Sequence, residues 1–283
     1  TSIAARAFEL GRWRLPVEIT LWAVTLFVVI MPILGLLATA LVPAYGVPLN
    51  AKSATSQNFA YVIFEHAASR RALVNSFTLS AVAALIVTGI SVLLAYFLVW
   101  RKSALLRWLS IAAEMPYALP GVVLSIACIL LFLKPLPVLG FSIYNTVWIL
   151  LIAYLARFLV LGLRPVISGY HQMDRAIEEA AQVAGAGFLR RLVTIILPVV
   201  APVAAAGAIL VFLTAFNELT LSALLWSSGT ETLGVVVFSF EQGGESTAAA
   251  AVSILTILVT IGLALSTLLF HHKLPQGVLP WRD

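Results

Sequence analysis

Residues 179–198 read EAAQVAGAGFLRRLVTIILP and lie between two strongly apolar stretches. The whole chain is apolar: 61% of its 283 residues are hydrophobic, only 10% are charged, and mean hydropathy is +1.05. A soluble domain is typically about half apolar and about a quarter charged. The composition therefore predicts an all-α membrane protein, in which this stretch belongs to a loop between two spans. We call residues 171–198 the signature loop.

The signature loop is predicted to contain two short helices. Residues 173–184 read MDRAIEEAAQVA, a good helix former, and Asp174 can cap its N-terminus. Gly185 should end this helix, because glycine adopts positive φ without steric cost. A second short helix is predicted from about Phe188, and Pro198 should lie near the start of the next span, where its missing N–H costs little.

The rest of the chain divides into membrane spans, each of which needs roughly 20 mostly apolar residues. Six stretches qualify, at about 19–42, 74–99, 116–133, 146–164, 195–216 and 248–270. The third contains Pro116, Pro120 and Gly121 near its start, which predicts a kink or a broken first turn. A shorter apolar stretch at about 219–240 is interrupted by polar residues, so we expect a re-entrant or surface-lying segment rather than a seventh span.

The basic residues fall unevenly on the two sides of the membrane that these spans define. Twelve belong to the ends and loops on one side, namely Arg6, Arg12, Arg14, Arg101, Lys102, Arg107, Arg164, Arg175, Arg190, Arg191, Lys273 and Arg282. Four belong to the alternate loops, namely Lys52, Arg70, Arg71 and Lys134. The positive-inside rule places both termini and the signature loop in the cytoplasm. The predicted organisation is a cytoplasmic N-terminal segment at 1–18, a transmembrane domain at 19–270 and a cytoplasmic tail at 271–283.

The signature loop also carries a long motif, consisting of EAA, three residues, Gly, nine residues and Ile-x-Leu-Pro. The seven matching positions are Glu179, Ala180, Ala181, Gly185, Ile195, Leu197 and Pro198. This pattern resembles the EAA loop of bacterial ABC-importer permeases, which docks in a cleft of the ATPase subunit. The resemblance implies the type I ABC-importer permease fold, with six transmembrane helices and cytoplasmic coupling helices, in the bacterial inner (plasma) membrane.

The resemblance assigns coupling to the ATPase to residues of this loop. The expected coupling residues are Glu179, Ala180, Ala181, Gly185, Phe188, Leu189 and Pro198. Glu179 would offer a charge, and Phe188 or Leu189 would anchor in an apolar groove of the partner. Residue types alone leave an alternative open, in which the loop is an amphipathic helix lying on the membrane and packed on its own bundle.

The resemblance further implies the partners. The chain lacks a G-x-x-x-x-G-K-[ST] phosphate loop, so it is not expected to be an enzyme or to bind a cofactor, and ATP and Mg would be bound by a separate ATPase subunit dimer. A single EAA loop makes the chain half of a pathway, which needs a second permease half, identical or homologous. A periplasmic substrate-binding protein and the lipid bilayer complete the list. No nucleic-acid partner is expected, because the basic residues form no patch.

Polar groups at membrane depth are candidates for the translocation pathway. Asn217 and Glu218 end the fifth span and Thr220 follows, which predicts pathway lining or a gate; a polar junction at the outer interface is the alternative. Arg157 lies inside the fourth span, as either an interhelical structural residue or part of the pathway. Glu114 is predicted to cap or pack rather than to relay protons. The histidines show no metal-binding pattern, so no metal site is predicted.

The substrate expectation comes from two further stretches. Residues 154–169 (YLARFLVLGLRPVISG) and 217–240 (NELTLSALLWSSGTETLGVVVFSF) look like the ferric-iron class, whose members often fuse two such domains where this chain has one. Polyamine, thiamine and phosphonate permeases look similar through the same region. An ion-coupled secondary transporter would need buried titratable groups and an inverted repeat, neither of which the sequence shows beyond Arg157.

Overall fold

The computed structural model describes residues 11–101, 104–135 and 140–269. Its helices are α1 (Arg14–Ala40), α2 (Gln57–Ala60), α3 (Ala67–Tyr96), α4 (Ala104–Ala118), α5 (Gly121–Phe132), α6 (Val147–Gln172), α7 (Arg175–Val183), α8 (Phe188–Arg191), α9 (Leu197–Phe216), α10 (Ser222–Leu225), α11 (Leu233–Gln242) and α12 (Ser246–Leu269). Residues 1–10 of the predicted N-terminal segment and the predicted tail 271–283 lie outside the described residues.

The spans agree with the predicted six when α4 and α5 are counted as one. Within the described ranges, five helical runs are long and apolar enough to cross a membrane, and the α4–α5 pair, bent by 112°, would be a sixth. The bend falls at Leu119 and Pro120, where proline cannot continue the helical hydrogen bonding. We call this bend the elbow. The predicted re-entrant segment 219–240 forms α10 and α11, both too short to span.

Several helical runs extend beyond the predicted apolar stretches, and the fourth and fifth spans are examples. The fourth span was expected to end at 164, but α6 continues to Gln172. The fifth was expected to begin at 195, but one helical run extends from Phe188 to Phe216. In both cases the helix extends past the stretch that hydropathy detects, because the flanking residues are also compatible with a helix.

The centre of the fold is the packing of α3, α6 and α9 against one another. Gly162 on α6 and Gly207 on α9 face each other so closely that a Cβ at Gly207 would lie 3.2 Å from the Gly162 carbonyl oxygen. A Cβ at Gly162 would lie 2.5 Å from a methyl group of Val87 on α3. Small residues allow this close approach of backbones, which supplies van der Waals contact where lipid provides no hydrophobic driving force. The three helices therefore form the rigid frame that positions the loops at either end.

The helices α1, α11 and α12 pack at the side of this frame. The alanine-rich start of α12, Ala248–Ala251, is buried together with Val236 and Phe240 of α11. In contrast, α1 is mostly exposed and contacts this core near its end, at Leu36 and Ala40. An exposed apolar helix of this length is what a lipid-facing span requires.

Candidate functional site

The helix α7 of the signature loop is closed at both ends by its own sequence. The Asp174 carboxylate accepts a hydrogen bond from the Ala176 N–H at 2.9 Å, which satisfies one of the free donors at the helix start. At the other end, Gly185 has φ of 82° and its N–H donates to the Gln182 carbonyl, while the Ala186 N–H donates to the Ala181 carbonyl. This is the Schellman motif, which requires a left-handed residue at the glycine position. The predicted cap and the predicted break are both confirmed.

The predicted coupling residues at the centre of the loop lie on its outer surface. Glu179 and Ala180 are exposed and Ala181 is partly exposed. The Glu179 carboxylate lies 2.9 Å from Arg175 Nε, one helical turn earlier, in an ion pair whose two members are more than half exposed. Such a surface pair contributes little to stability. The charge of Glu179 therefore remains available to another molecule.

Apolar side chains extend the exposed surface of the loop. Val183 is 90% exposed and Leu189 is 70% exposed, on either side of Gly185. Ile177, one and a half turns before Val183, is also exposed. Exposed apolar side chains grouped beside charged residues are typical of an interaction surface.

Phe188, one of the two predicted anchors for a partner, also packs within its own chain. Its ring centroid lies 5.2 Å from that of Tyr96 and 6.3 Å from that of Phe97, at the end of α3. The ring is still partly exposed. Leu189 is the more exposed of the two anchor candidates.

A buried ion pair joins the two short helices of the loop, and neither of its residues is among the predicted coupling residues. Glu178 is 5% exposed, Arg191 is 8% exposed, and Arg191 Nε lies 2.8 Å from Glu178 Oε1. The Nε–H is not aligned with the carboxylate, so this contact is an ion pair rather than a hydrogen bond. The Tyr96 hydroxyl donates to Glu178 Oε1 at 3.3 Å, and Arg191 Nη1 donates to the Ala186 carbonyl at 2.7 Å.

Pro198 is the second residue of α9, as predicted, but the helical run begins ten residues earlier. The intervening turn, Leu192–Ile196, is widened to a π-helix. Proline removes one backbone donor and its ring clashes with the preceding turn of an α-helix. The widened turn lets the helix continue past Pro198, which joins the signature loop to α9 without a break.

Three of the four predicted pathway residues meet at the elbow. Arg157 Nη1 donates to the Leu119 carbonyl at 3.1 Å, and its Nε lies 4.0 Å from Glu218 Oε2. The other carboxylate oxygen of Glu218 accepts from the Thr220 hydroxyl and, at 2.8 Å, from the Leu221 N–H. Arg157 is thus interhelical and also part of the predicted polar group.

The elbow is pressed against this group. A Cβ at Gly121, the first residue of α5, would lie 2.0 Å from Thr220 Oγ1, so only glycine fits there. Farther along α5, the Ser125 hydroxyl donates to the Leu221 carbonyl at 3.2 Å. We call Gly121, Arg157, Glu218 and Thr220 the elbow cluster. Apart from its place after Pro120, nothing in the sequence indicated that Gly121 belongs to this cluster.

The fourth predicted pathway residue, Asn217, does not join the elbow cluster. Its side-chain amide donates to the Leu213 carbonyl of its own helix at 2.9 Å. It lines a separate cavity of about 240 Å³ between α9, α11 and α12, together with Ser253 and Thr256. Asn217 and Glu218 are neighbours in sequence but face different surroundings.

Glu114 pairs with the second arginine of α6. Its carboxylate accepts a hydrogen bond from Arg164 Nη2 at 2.7 Å, and both side chains are partly exposed beside a cavity of about 510 Å³ between α4, α6 and α9. Arg157 and Arg164 therefore both hold α4 and its elbow onto the same face of α6. Among the described residues, no three His, Cys, Asp or Glu side chains are grouped in a way that could hold a metal ion.

Residues 87–279 match the sequence model of a family described as binding-protein-dependent transport system inner membrane component. The chain belongs to this family. It is 28% identical over 254 residues to the "Probable ABC transporter permease protein" of Sinorhizobium fredii, covering 89% of this chain and 44% of that protein. It is 26% identical over 184 residues to an Fe(3+)-transport system permease protein of Haemophilus influenzae, covering 65% of this chain and 36% of that protein.

A trehalose/maltose transport system permease protein of Thermococcus litoralis is 34% identical over 142 residues, covering 47% of this chain and 49% of that protein. The chain thus spans less than half the length of each of these three relatives. Permease subunits of this family are not themselves enzymes.

Solved structures share the fold. A bacterial ABC transporter that imports the acidic polysaccharide alginate superposes with a TM-score of 0.74 at 17% identity, over 94% of this chain and 97% of that one. A methionine ABC transporter in an inward-facing conformation gives a TM-score of 0.55 at 17% identity, over 70% and 91%. The predicted all-α fold of an ABC-importer permease is confirmed.

Proposed function

We propose that this chain is the transmembrane permease subunit of a bacterial ATP-driven ABC importer, and that the signature loop couples it to the ATPase. The observation that carries this proposal is the form of the loop: a short helix, capped at Asp174 and Gly185, with its small residues and Leu189 facing away from the bundle. A helix lying on lipid would have to desolvate Arg175 and Glu179, which share this exposed surface.

The membrane orientation follows from the charges. Twelve basic residues on the side of the signature loop against four on the other favour a bacterial inner-membrane protein with both termini in the cytoplasm. The loop would then meet an ATPase subunit dimer, which binds ATP and Mg. Since the chain carries one such loop, a second permease half, identical or homologous, supplies the other wall of the pathway. The elbow cluster and Asn217 are the proposed pathway residues of this half.

A periplasmic binding protein is the proposed source of substrate. The alginate transporter has been solved in complex with its alginate pentasaccharide-bound periplasmic protein, and that complex shares the fold of this chain with a TM-score of 0.69. In the proposed cycle, ATP closes the ATPase dimer, the two signature loops move together, and the permease halves open toward the periplasm. The binding protein then releases its cargo into the open pathway.

Ferric iron is the first proposed substrate. The relatives from Haemophilus influenzae and from Actinobacillus pleuropneumoniae, the latter 24% identical over 194 residues, are named for ferric transport. A second candidate is 2-aminoethylphosphonate, because a Salmonella typhimurium relative named for its transport is 26% identical over 171 residues. Polyamine and thiamine, suggested by resemblance alone, complete the set.

The test is ATP hydrolysis by the full-length protein reconstituted in vesicles with its ATPase subunit and binding protein. The binding protein is loaded in turn with ferric iron, 2-aminoethylphosphonate, spermidine or thiamine. We expect one ligand to stimulate hydrolysis, and Glu179→Arg to abolish the stimulation. Hydrolysis indifferent to every ligand would remove the substrate proposal, and failure of the ATPase subunit to associate would overturn the function itself.

A further inference from the structure

The helix α7 needs support from the rest of the chain. It has nine residues, and isolated helices of this length are marginal in water because forming the first turn is costly. Its caps define where it begins and ends but do not attach it to the membrane helices. The exposed face, with Glu179 and Val183, faces away from the bundle. Any attachment must therefore come from the inner face.

The inner face is attached by the buried ion pair of Glu178 and Arg191. Two opposite charges with about a tenth or less of their surfaces exposed depend on each other, since removing one leaves the other buried and unpaired. The remaining hydrogen bonds extend the attachment in two directions. Tyr96 reaches Glu178 from the last residue of α3, and Arg191 also donates to the Ala186 carbonyl just beyond Gly185.

Aromatic side chains also join the end of α3 to the end of α6. The Tyr96 ring lies 5.1 Å from Trp100, 5.2 Å from Phe188 and 6.4 Å from Tyr170, measured between ring centroids. The Tyr170 hydroxyl donates to the Val92 carbonyl at 3.0 Å, which ties the end of α6 to α3. Close-packed groups of this kind transmit displacement rather than absorb it.

The helical run that contains Arg191 leads directly to the elbow cluster. It extends without a break from Phe188 to Phe216, a length of about 44 Å for an α-helix, and Glu218 follows two residues later. Glu218 is 4.0 Å from Arg157, which holds the Leu119 carbonyl at the elbow. One continuous element thus joins the signature loop to the elbow.

We propose that Glu178, Arg191 and Tyr96 form a brace that passes the displacement of α7 to α3 and α9, so that the elbow moves when ATP closes the ATPase dimer. This inference rests on the proposed function, since it assumes that the ATPase pushes on the signature loop. The three side chains are positioning residues. They face away from the exposed coupling surface, so the ATPase can dock on that surface whether or not the brace is intact.

The test separates docking from transmission. The full-length protein carries a Tyr117→Cys reporter beside the elbow, where Tyr117 is partly exposed, and the native Cys128 is buried. It is reconstituted with its ATPase subunit in nanodiscs, and the reporter is labelled with a water-soluble maleimide before and after addition of ATP and vanadate. The backgrounds are the reporter alone, Glu178→Gln, Arg191→Gln and the double variant. Glu18→Gln is the matched control, because it breaks an exposed ion pair, 2.7 Å long, at the start of α1.

We expect ATP to change the labelling rate in the reporter protein and in Glu18→Gln. Glu178→Gln and Arg191→Gln should each reduce that change by at least about fivefold, the low end of coupling between distant sites, while the ATPase still co-purifies and hydrolyses ATP. The double variant should respond better than either single variant, because it leaves no unpaired buried charge.

Two results would overturn the brace alone: a full ATP response in Glu178→Gln, or loss of ATPase binding together with the response, which would indicate a merely structural role. If ATPase does not bind the unaltered protein, the proposed function fails and takes the brace with it.

Discussion

Adding a methyl group at Gly121 is the most stringent test of how closely the elbow packs on Thr220. The new Cβ would lie 2.0 Å from Thr220 Oγ1 and 2.6 Å from Thr220 Cβ, where carbon atoms do not come closer than 3.0 Å. Something must therefore move by at least about 1 Å, which forces a side chain out of its rotamer or shifts the backbone. Thr220 is short and β-branched, and its hydroxyl is bonded to Glu218, so it cannot turn aside without losing that hydrogen bond.

The expected cost of Gly121→Ala combines these two effects. Overpacking typically costs about 1–3 kcal/mol. Loss of a hydrogen bond to a buried carboxylate adds about 1–3 kcal/mol. We expect a total of about 2–6 kcal/mol, which lowers the apparent unfolding temperature by at least about 4 °C in a chain of this size.

The assay is thermal unfolding in lipid nanodiscs, with two comparison variants. Gly89→Ala in α3 is the matched control, because a Cβ there meets nothing within 4 Å, and alanine should stabilise the helix by about 0.5–1 kcal/mol. Gly121→Ala combined with Thr220→Gly removes the clashing atoms and should recover part of the loss. Equal unfolding temperatures for Gly121→Ala and Gly89→Ala would refute the close packing of the elbow on Thr220.

Three further predictions concern the signature loop, the two arginines of α6, and Glu231 in the turn before α11. Gly185→Pro cannot adopt a φ of 82°, so we expect it to abolish uptake without lowering the amount of folded protein in the membrane, and normal uptake would contradict this. Arg157→Gln should cost about 3 kcal/mol of unfolding free energy, because it leaves the buried Glu218 unpaired. Arg164→Gln should cost less than about 1 kcal/mol, because the Arg164–Glu114 pair is exposed. Equal unfolding temperatures of the two variants would be inconsistent with these environments. Burial raises the pKa of Glu231, but the Gly229 N–H and the Arg71 guanidinium outweigh this and hold its pKa below the ordinary value. The stability that ionised Glu231 supplies is present above the ordinary carboxyl pKa and is lost as pH falls through the lowered one. Glu231→Gln should therefore flatten the loss of stability as pH falls below the ordinary carboxyl pKa, and unfolding curves of unchanged pH dependence would count against the pairing.

The helix ends in the signature loop could be predicted from the sequence because they depend on local interactions. Asp174 and Gly185 were found because caps and left-handed glycines depend on a few neighbouring residues. The buried partners of the loop depend on tertiary packing. The doublets Glu178-Glu179 and Arg190-Arg191 each present one side chain inward and one outward, since consecutive helical residues point about 100° apart. The doublets were visible in the sequence, but which member faced inward was not.

The pathway residues show the same division. Arg157 and Glu218 were found because charges at membrane depth are rare. Their meeting at the elbow was not predictable, because it depends on how α4 and α5 fold back across 112°. Asn217 was grouped with Glu218 by sequence adjacency, yet the Asn217 amide bonds to its own helix α9 whereas Glu218 pairs with Arg157 on α6.

Photocrosslinking from the signature loop tests most directly whether this loop contacts the ATPase subunit. Leu189 in the loop and Phe64, just before α3, are both 70% exposed and lie at opposite ends of α3, which is about 45 Å long. A photoreactive amino acid is placed at either position in the full-length protein, within membranes that contain the ATPase subunit. We expect a crosslink to the ATPase from position 189 and none from position 64. A crosslink from position 64 with none from position 189 would contradict it.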